Sequence, residues 1–147
     1  MYFERIKNIR EDNDLTQKEI AQILGISRAN YSAMENGRIS FSLLNISKIA
    51  DYYNISIDYL LGLTNTKRYT INNNELNLND FGKSLRKARR KLRLTQENIA
   101  FDLGVTQPTY ANYEKGKTII SVNRLFILSK KYNLSFDQLL GKTPNND

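Results

Sequence analysis

LTQKEIAQILGISRANYSAMENGR occupies residues 15–38, and LTQENIAFDLGVTQPTYANYEKGK occupies residues 94–117. In the first, Thr16 followed three residues later by Glu19 is a capping-box pattern, where each side chain accepts the other residue's backbone N–H. Ile20, Ala21 and Leu24 then recur on one face at helical spacing. Gly25 stops this helix, because glycine enters left-handed backbone without steric cost. Ser27 is a second N-cap, opening a helix from Arg28 to Asn36 that stops at Gly37. Two helices of about eight residues joined by a short Gly-containing turn make a helix-turn-helix.

The repetition extends outward from this motif. Residues 4–64 align with 83–143 at a constant offset of 79, without gaps, and 20 of the 61 positions are identical. Two copies at so long a period are not a solenoid, so they read as one small domain written twice. Each copy has five short helices. In the first, Phe3, Ile6, Ile9 and Arg10 mark one face of an opening helix that ends near Asn13. Ser42 caps a fourth helix with Leu43, Ile46, Ile49, Ala50 and Tyr53 inward. Ser56 caps a last turn through Ile57, Leu60 and Leu61, closed by Gly62. The second copy has Thr95, Thr106, Ser121 and Ser135 as caps and Gly104, Gly116 and Gly141 as stops. The expected architecture is all-α, with domains at 1–64 and 80–143, an asparagine-rich linker at 65–79 and a tail at 144–147. Helical spacing assigns Tyr52, Tyr53, Tyr110, Tyr113 and Tyr132 to the cores.

This order of signals resembles the XRE/Cro-type helix-turn-helix of phage repressors. The resemblance rests on the Leu-Thr-Gln entry, the turn glycine, the Glu-x-Gly exit and the trailing helices, each present twice. It implies tandem five-helix, lambda-repressor-like domains, double-stranded DNA as partner, and a third helix lying in the major groove. The outward, N-terminal residues of that helix are then the candidates for base contact. They are Arg28, Ala29, Ser32 and Ala33 in the first copy, and Gln107, Pro108, Ala111 and Asn112 in the second. Arg28 suits guanine, Gln107 and Asn112 suit adenine, and an alanine suits a thymine methyl. Pro108 falls in the first helical turn, where its missing N–H costs little. The resemblance also implies phosphate contacts from Gln17 and Gln96 at the start of the second helix. Lys18, Ser27, Asn30, Arg38, Thr106, Thr109, Lys115 and Lys117 are further phosphate candidates. Ordinary solvated helix surface is the alternative for all of these. For Arg10 with Glu35, and Arg89 with Glu114, the family implies internal ion pairs rather than DNA contacts.

Composition narrows the field. A unit of about 60–65 residues buries only about 60% of its unfolded surface, so its core is small, and because two such units take up most of the sequence no separate catalytic or sensor domain is expected. The chain has no cysteine and no histidine. That removes disulfides, thiolate metal sites, the usual imidazole base and the usual zinc ligand, so no metal and no cofactor is expected. No apolar run approaches the ~18 residues of a membrane span. The opening residues alternate charged and apolar, unlike a signal peptide, so a cytoplasmic protein is expected. The net charge of +7 is uneven: residues 1–73 hold 9 Lys/Arg against 8 Asp/Glu, and residues 74–147 hold 13 against 7. A sequence pI near 9.6 with clustered cations suits a polyanionic partner, although a solvated helix face has the same composition.

Two arrangements explain the duplication. Fully extended, the linker spans roughly 60 Å, and half-sites one turn apart lie about 34–36 Å from each other. One chain can then act as a covalent pseudo-dimer on an asymmetric operator, gaining avidity from the linked second contact. Alternatively the labour is divided. The second copy has Phe101 for Gln22, Ile119 for Ser40, Phe126 for Ser47 and Ile127 for Lys48. Exposed apolar residues at those slots suggest an interface for domain pairing, a homodimer, or a protein partner as in an antitoxin-like regulator. Catalysis is the weakest reading, since the 15 carboxylates fall in no Gly-rich or pocket-like motif. The expected function is a sequence-specific, DNA-binding transcriptional regulator, with repression as its sign.

Overall fold

Among the described residues, every helix after the first opens at a Ser, Thr or Asn whose side chain accepts a backbone N–H three residues on. Each cap satisfies one of the four donors a helix leaves unpaired at its start. The computed structural model describes residues 1–67 and 75–142. Residues 68–74, in the middle of the expected linker, and 143–147, which include the expected tail, lie outside the described residues.

The chain forms two compact units, Met1–Arg68 and Tyr69–Asp147. The first holds α1 (Phe3–Asp12), α2 (Gln17–Leu24), α3 (Arg28–Glu35), α4 (Leu43–Tyr53) and α5 (Ile57–Leu60). The second holds α6 (Leu78–Lys91), α7 (Gln96–Leu103), α8 (Gln107–Glu114), α9 (Val122–Tyr132) and α10 (Phe136–Leu139). The α6 helix begins two residues before the expected start of the second domain. Asn77 is its cap, accepting from the Asp80 N–H, a signal hidden within the asparagine-rich stretch.

In each unit the third helix packs against the first two: α3 against α1 and α2, and α8 against α6 and α7. Its footing is a tyrosine, Tyr31 or Tyr110, that is fully buried. Ile6, Ile20, Ile46, Ile49 and Leu60 of the same unit are also without exposure. Phe41, in the connection between α3 and α4, sits edge-on to the Tyr31 ring at 6.1 Å. Burying each such side chain contributes about 1.5–3 kcal/mol. Tyr52 departs from the expected core set, being 49% exposed. It lies one position off the buried stripe of α4, whereas Tyr53 beside it turns inward.

Gly25 and Gly104 end the second helices at φ 71° and 67°, in the left-handed region that makes the turn sharp. Gly82 serves a different purpose. It sits inside α6 with ordinary helical backbone, and a Cβ there would overlap the carbonyl oxygen of Glu114 at the end of α8. The first and third helices of the second unit touch backbone to backbone at this point. Alanine is worth about 1 kcal/mol more than glycine in an open helix, but forced overlap in a packed interior costs about 1–3 kcal/mol. Gly82→Ala should therefore lower the melting temperature of the second unit by several degrees in a calorimetric scan. An unchanged or raised value would contradict this close approach.

Candidate nucleic-acid interface

The third helix of each unit is fixed at its C-terminal end by a charged brace. Arg10 of α1 donates from Nε to Glu35 Oε2 at 2.9 Å and from Nη2 to Oε1 at 2.8 Å. Its Nη1 donates to the Leu15 carbonyl at 2.6 Å, which ties the turn before α2 into the same guanidinium. Gln17, the first residue of α2, donates to Glu35 Oε1 at 3.3 Å. The second unit repeats the pattern. Arg89 donates from Nε and Nη2 to the two oxygens of Glu114, each at 2.9 Å, and from Nη1 to the Leu94 carbonyl at 2.9 Å. Two parallel N–H···O⁻ bonds are the strong, directional form of this interaction.

The two units differ at the start of the third helix. Gln96 donates to Glu114 Oε2 at 3.5 Å, and its own Oε1 accepts from Gln107 Nε2 at 2.7 Å. A continuous polar chain therefore runs from Arg89 through Glu114 and Gln96 to the first residue of α8. In the first unit that position is Arg28, exposed and with no side-chain partner among the described residues. One third helix thus presents a free guanidinium and the other a side-chain amide already held in place.

The remaining candidates are distributed around these helices. Ala29 and Pro108 are exposed, and Ser32, Ala33 and Asn112 are half-exposed. Ala111 is a correction: it is only 6% exposed and is removed from the base-contacting set. It lies one turn from Gln107 and three residues from Glu114, on the stripe of α8 that faces α7. A one-carbon side chain on that stripe is covered by its neighbours, whereas Ser32 at the matching position is half-exposed.

Ser27 and Thr106 accept the N–H of Asn30 and Thr109 at 3.1 and 3.3 Å. Their oxygens are committed to capping, and Thr106 Oγ1 also lies 2.7 Å from Thr109 Oγ1. Lys18, Asn30, Arg38, Lys115 and Lys117 are exposed, and Gln17, Gln96 and Thr109 are half-exposed. Sequence reasoning missed Asn36, which caps the end of α3, is exposed, and donates to Ser32 Oγ at 3.3 Å. Its signal was present in the helix spacing, since position 36 follows Ser32 by one turn.

The interface candidates divide. Phe101 is 86% exposed, and Ile119 and Ile127 are exposed as well. Phe126 is half-buried, which corrects the expectation that it faces solvent. The apolar surface is also not special to the second unit, because Ile23, Ile39, Leu44 and Tyr52 are exposed in the first. Comparing only the substitutions between the two copies hid those residues. No helix among the described residues is long and apolar enough to cross a membrane.

A helix-turn-helix family model (HTH_3) matches residues 6–60 and again 85–139. The chain is 33% identical over 64 residues to the HTH-type transcriptional regulator YobD of Bacillus subtilis, a match covering 44% of this chain and 57% of that protein. It is 32% identical over 66 residues to the cryptic phage CTXphi transcriptional repressor RstR of Vibrio cholerae, covering 45% and 60%. It is 42% identical over 62 residues to the antitoxin PezA of Streptococcus pneumoniae, covering 42% and 39%. The chain spans about half the length of the curated relatives it matches.

The brace has consequences for stability. Removing one partner leaves a buried charge uncompensated, at a cost of about 3–5 kcal/mol. Glu35→Ala should unfold the first unit at temperatures where the second persists, read as a separated early transition in thermal denaturation; an unchanged melting profile would reject it. Burial, the largest single influence, raises the Glu35 pKa, but the hydrogen bonds from Arg10 and its other neighbours, together with the Arg10 charge, outweigh it and hold the carboxyl below its ordinary value. A depressed folded pKa stabilises above the ordinary glutamate range, near about pH 4.3, and that stability is lost as pH falls through the folded value. The first unit of the wild type should lose more stability on acidification below about pH 4 than Glu35→Gln does. Equal losses in the two proteins would show that the pair carries no pH dependence.

Proposed function

This chain belongs to the XRE-type helix-turn-helix family in both of its units, and on that premise we propose that it is a sequence-specific, double-stranded-DNA-binding transcriptional repressor. The observation that carries this reading is the braced third helix. In each unit its C-terminal end is fixed by an arginine–glutamate pair, while its N-terminal residues remain accessible. A major-groove reader needs that combination: a rigid mount, and side chains at the helix start that reach base edges.

In the proposed complex Arg28 makes a bidentate contact with guanine O6 and N7, and Ala29 and Ala33 meet thymine methyl groups. Gln107, pre-set by its bond to Gln96, and Asn112 read adenine. Gln17 and Gln96 each have a second amide proton for a phosphate oxygen, beside the unpaired N–H groups at the starts of α2 and α7. Lys18, Arg38, Lys115 and Lys117 add charge to the phosphate contacts, which fix position without reading sequence. The different side chains of α3 and α8 call for an asymmetric, two-part operator. The relative RstR bears the name of a phage repressor, and repression by occupancy of a promoter is the mode proposed here, acting on DNA in the cytoplasm.

A second reading divides the labour, with one unit on DNA and the other on a protein partner or a second copy. Phe101, almost fully exposed on α7, favours it, as does the relative named as an antitoxin.

Selection from random duplexes, run on the full chain and on variants with one third helix disabled, separates the two readings. Arg28→Ala should lose about 1–3 kcal/mol of affinity and relax preference at one guanine. Gln107→Ala should relax preference at a different base pair. If Gln107→Ala leaves the selected sequence unchanged, the second unit does not read DNA and the division of labour stands. If neither variant alters selection, the proposed reading helices are wrong.

A further inference from the structure

The two units fold alike, so each serves as a control for the other, and one feature is lined differently in the two among the described residues. In the second unit a cleft of about 540 Å³ lies between α6 and the turn joining α9 to α10. One stripe of α6 forms a wall: Ser84, then Lys87 and Ala88, then Lys91 and Leu92, at one-turn intervals. Leu134, Gln138 and Leu139 stand opposite. The volume falls in the range of roughly 300–1,000 Å³ typical of small-molecule sites.

The matching cleft of the first unit is filled by its own side chains. At the positions of Ser84 and Gln138 stand Arg5 and Tyr59, and the Arg5 guanidinium lies over the Tyr59 ring at 4.2 Å. The chain at Thr66 and Lys67 covers the same region: Ser56 donates from its N–H to the Lys67 carbonyl at 2.8 Å and from Oγ to the Thr66 carbonyl at 3.0 Å. Serine and glutamine at these positions remove the stack from the second unit, and residues 145–146, which correspond to Thr66 and Lys67, lie outside the described residues.

The charge of the wall has also changed. Lys87 and Lys91 replace Asn8 and Asp12 of the first unit. With Lys83, Arg86 and Arg90 they form a face of five exposed cations, where the first unit has Glu4, Lys7, Asn8, Glu11 and Asp12. No carboxylate lines the cleft among the described residues. Of the acids on the adjoining helices, Asp102 is held by Lys131 at 2.7 Å and by the Tyr132 hydroxyl, and Asp137 of α10 is fully buried.

We propose that this cleft is a binding site for a small organic anion, with a carboxylate or phosphate between Lys87 and Lys91 and an apolar body against Ala88, Leu92 and Leu139. Two ammonium groups one turn apart on one helix supply the anion contact, and the exposed Leu92 and half-exposed Ala88 gain by being covered. Neither contact involves α8, so the site stands or falls independently of how the protein reads DNA.

The test is a titration of the ¹⁵N-labelled full chain with phenyl phosphate, alongside inorganic phosphate. The expected result is saturable shifts at Ala88, Leu92, Leu134 and Gln138 with phenyl phosphate, and none at those amides with inorganic phosphate. Rebuilding the plug with S84R/Q138Y should abolish them. K87Q/K91Q alters only exposed side chains, so it keeps the test open if the plugged protein misfolds, and it should bind at least about tenfold more weakly. Shifts confined to the Lys83–Lys91 face and equal for both anions would overturn the proposal, showing only a solvated basic surface. So would the absence of any saturable shift, or equal affinity in K87Q/K91Q.

Discussion

The pairing of an arginine on the first helix with the glutamate that ends the third is the interaction on which each unit depends. An eight-residue helix is too short to persist in water on its own, so the direction of α3 or α8 is set from outside. Two supports set it: a fully buried tyrosine on the inner face, and the guanidinium at the C-terminal end. Coulombic attraction alone would not justify burying these charges, because desolvation offsets much of it. What the fork geometry adds is direction. The same guanidinium holds both carboxylate oxygens and the carbonyl before α2, so three helices are aligned through one planar group.

The second unit extends that logic further than the first. Its brace continues through Gln96 to Gln107, and Gly82 lets α6 approach α8 at backbone distance. The first unit stops at Gln17 and presents Arg28 without a side-chain partner. Under the proposed reading, a tethered amide and an unpaired guanidinium are different ways to meet a base edge. The amide gives up less rotamer freedom on binding, and the guanidinium brings a full charge and two parallel donors. The excess cations of the second half cluster on the outer face of α6, away from the side that carries Arg89.

Much of this was legible in the residues themselves. Caps at Thr16, Ser27, Ser42 and Ser56, and the glycines after α2 and α3, are local signals whose chemistry does not wait for tertiary structure. The fork pairing of Arg10 with Glu35 was reached through family resemblance rather than spacing, since 25 residues separate the partners. Other features were hidden for physical reasons. Asp14, Asn54, Arg93 and Asn133 all take positive φ at helix exits, where glycine is the usual signal and none stands. Phe41 is fully buried although it lies in a connection, where no periodicity marks it. Ala111 and Ser32 occupy one slot in the repeat but differ in exposure, because shading by neighbours depends on packing, not on helix phase. The cleft beside α6 emerged only when Ser84 and Gln138 were set against the Arg5–Tyr59 stack in three dimensions.

The central claim is that a braced third helix in each unit enters the major groove. Interference by 7-deazaguanine and 7-deazaadenine substitution on a selected duplex tests it most directly, because the N7 of both purines faces that groove. The account expects interference in two clusters, one weakened by Arg28→Ala and the other by Gln107→Ala. A single cluster lost with Arg28→Ala and indifferent to Gln107→Ala would contradict reading by both units. Interference unaffected by either substitution would contradict the role assigned to these helices.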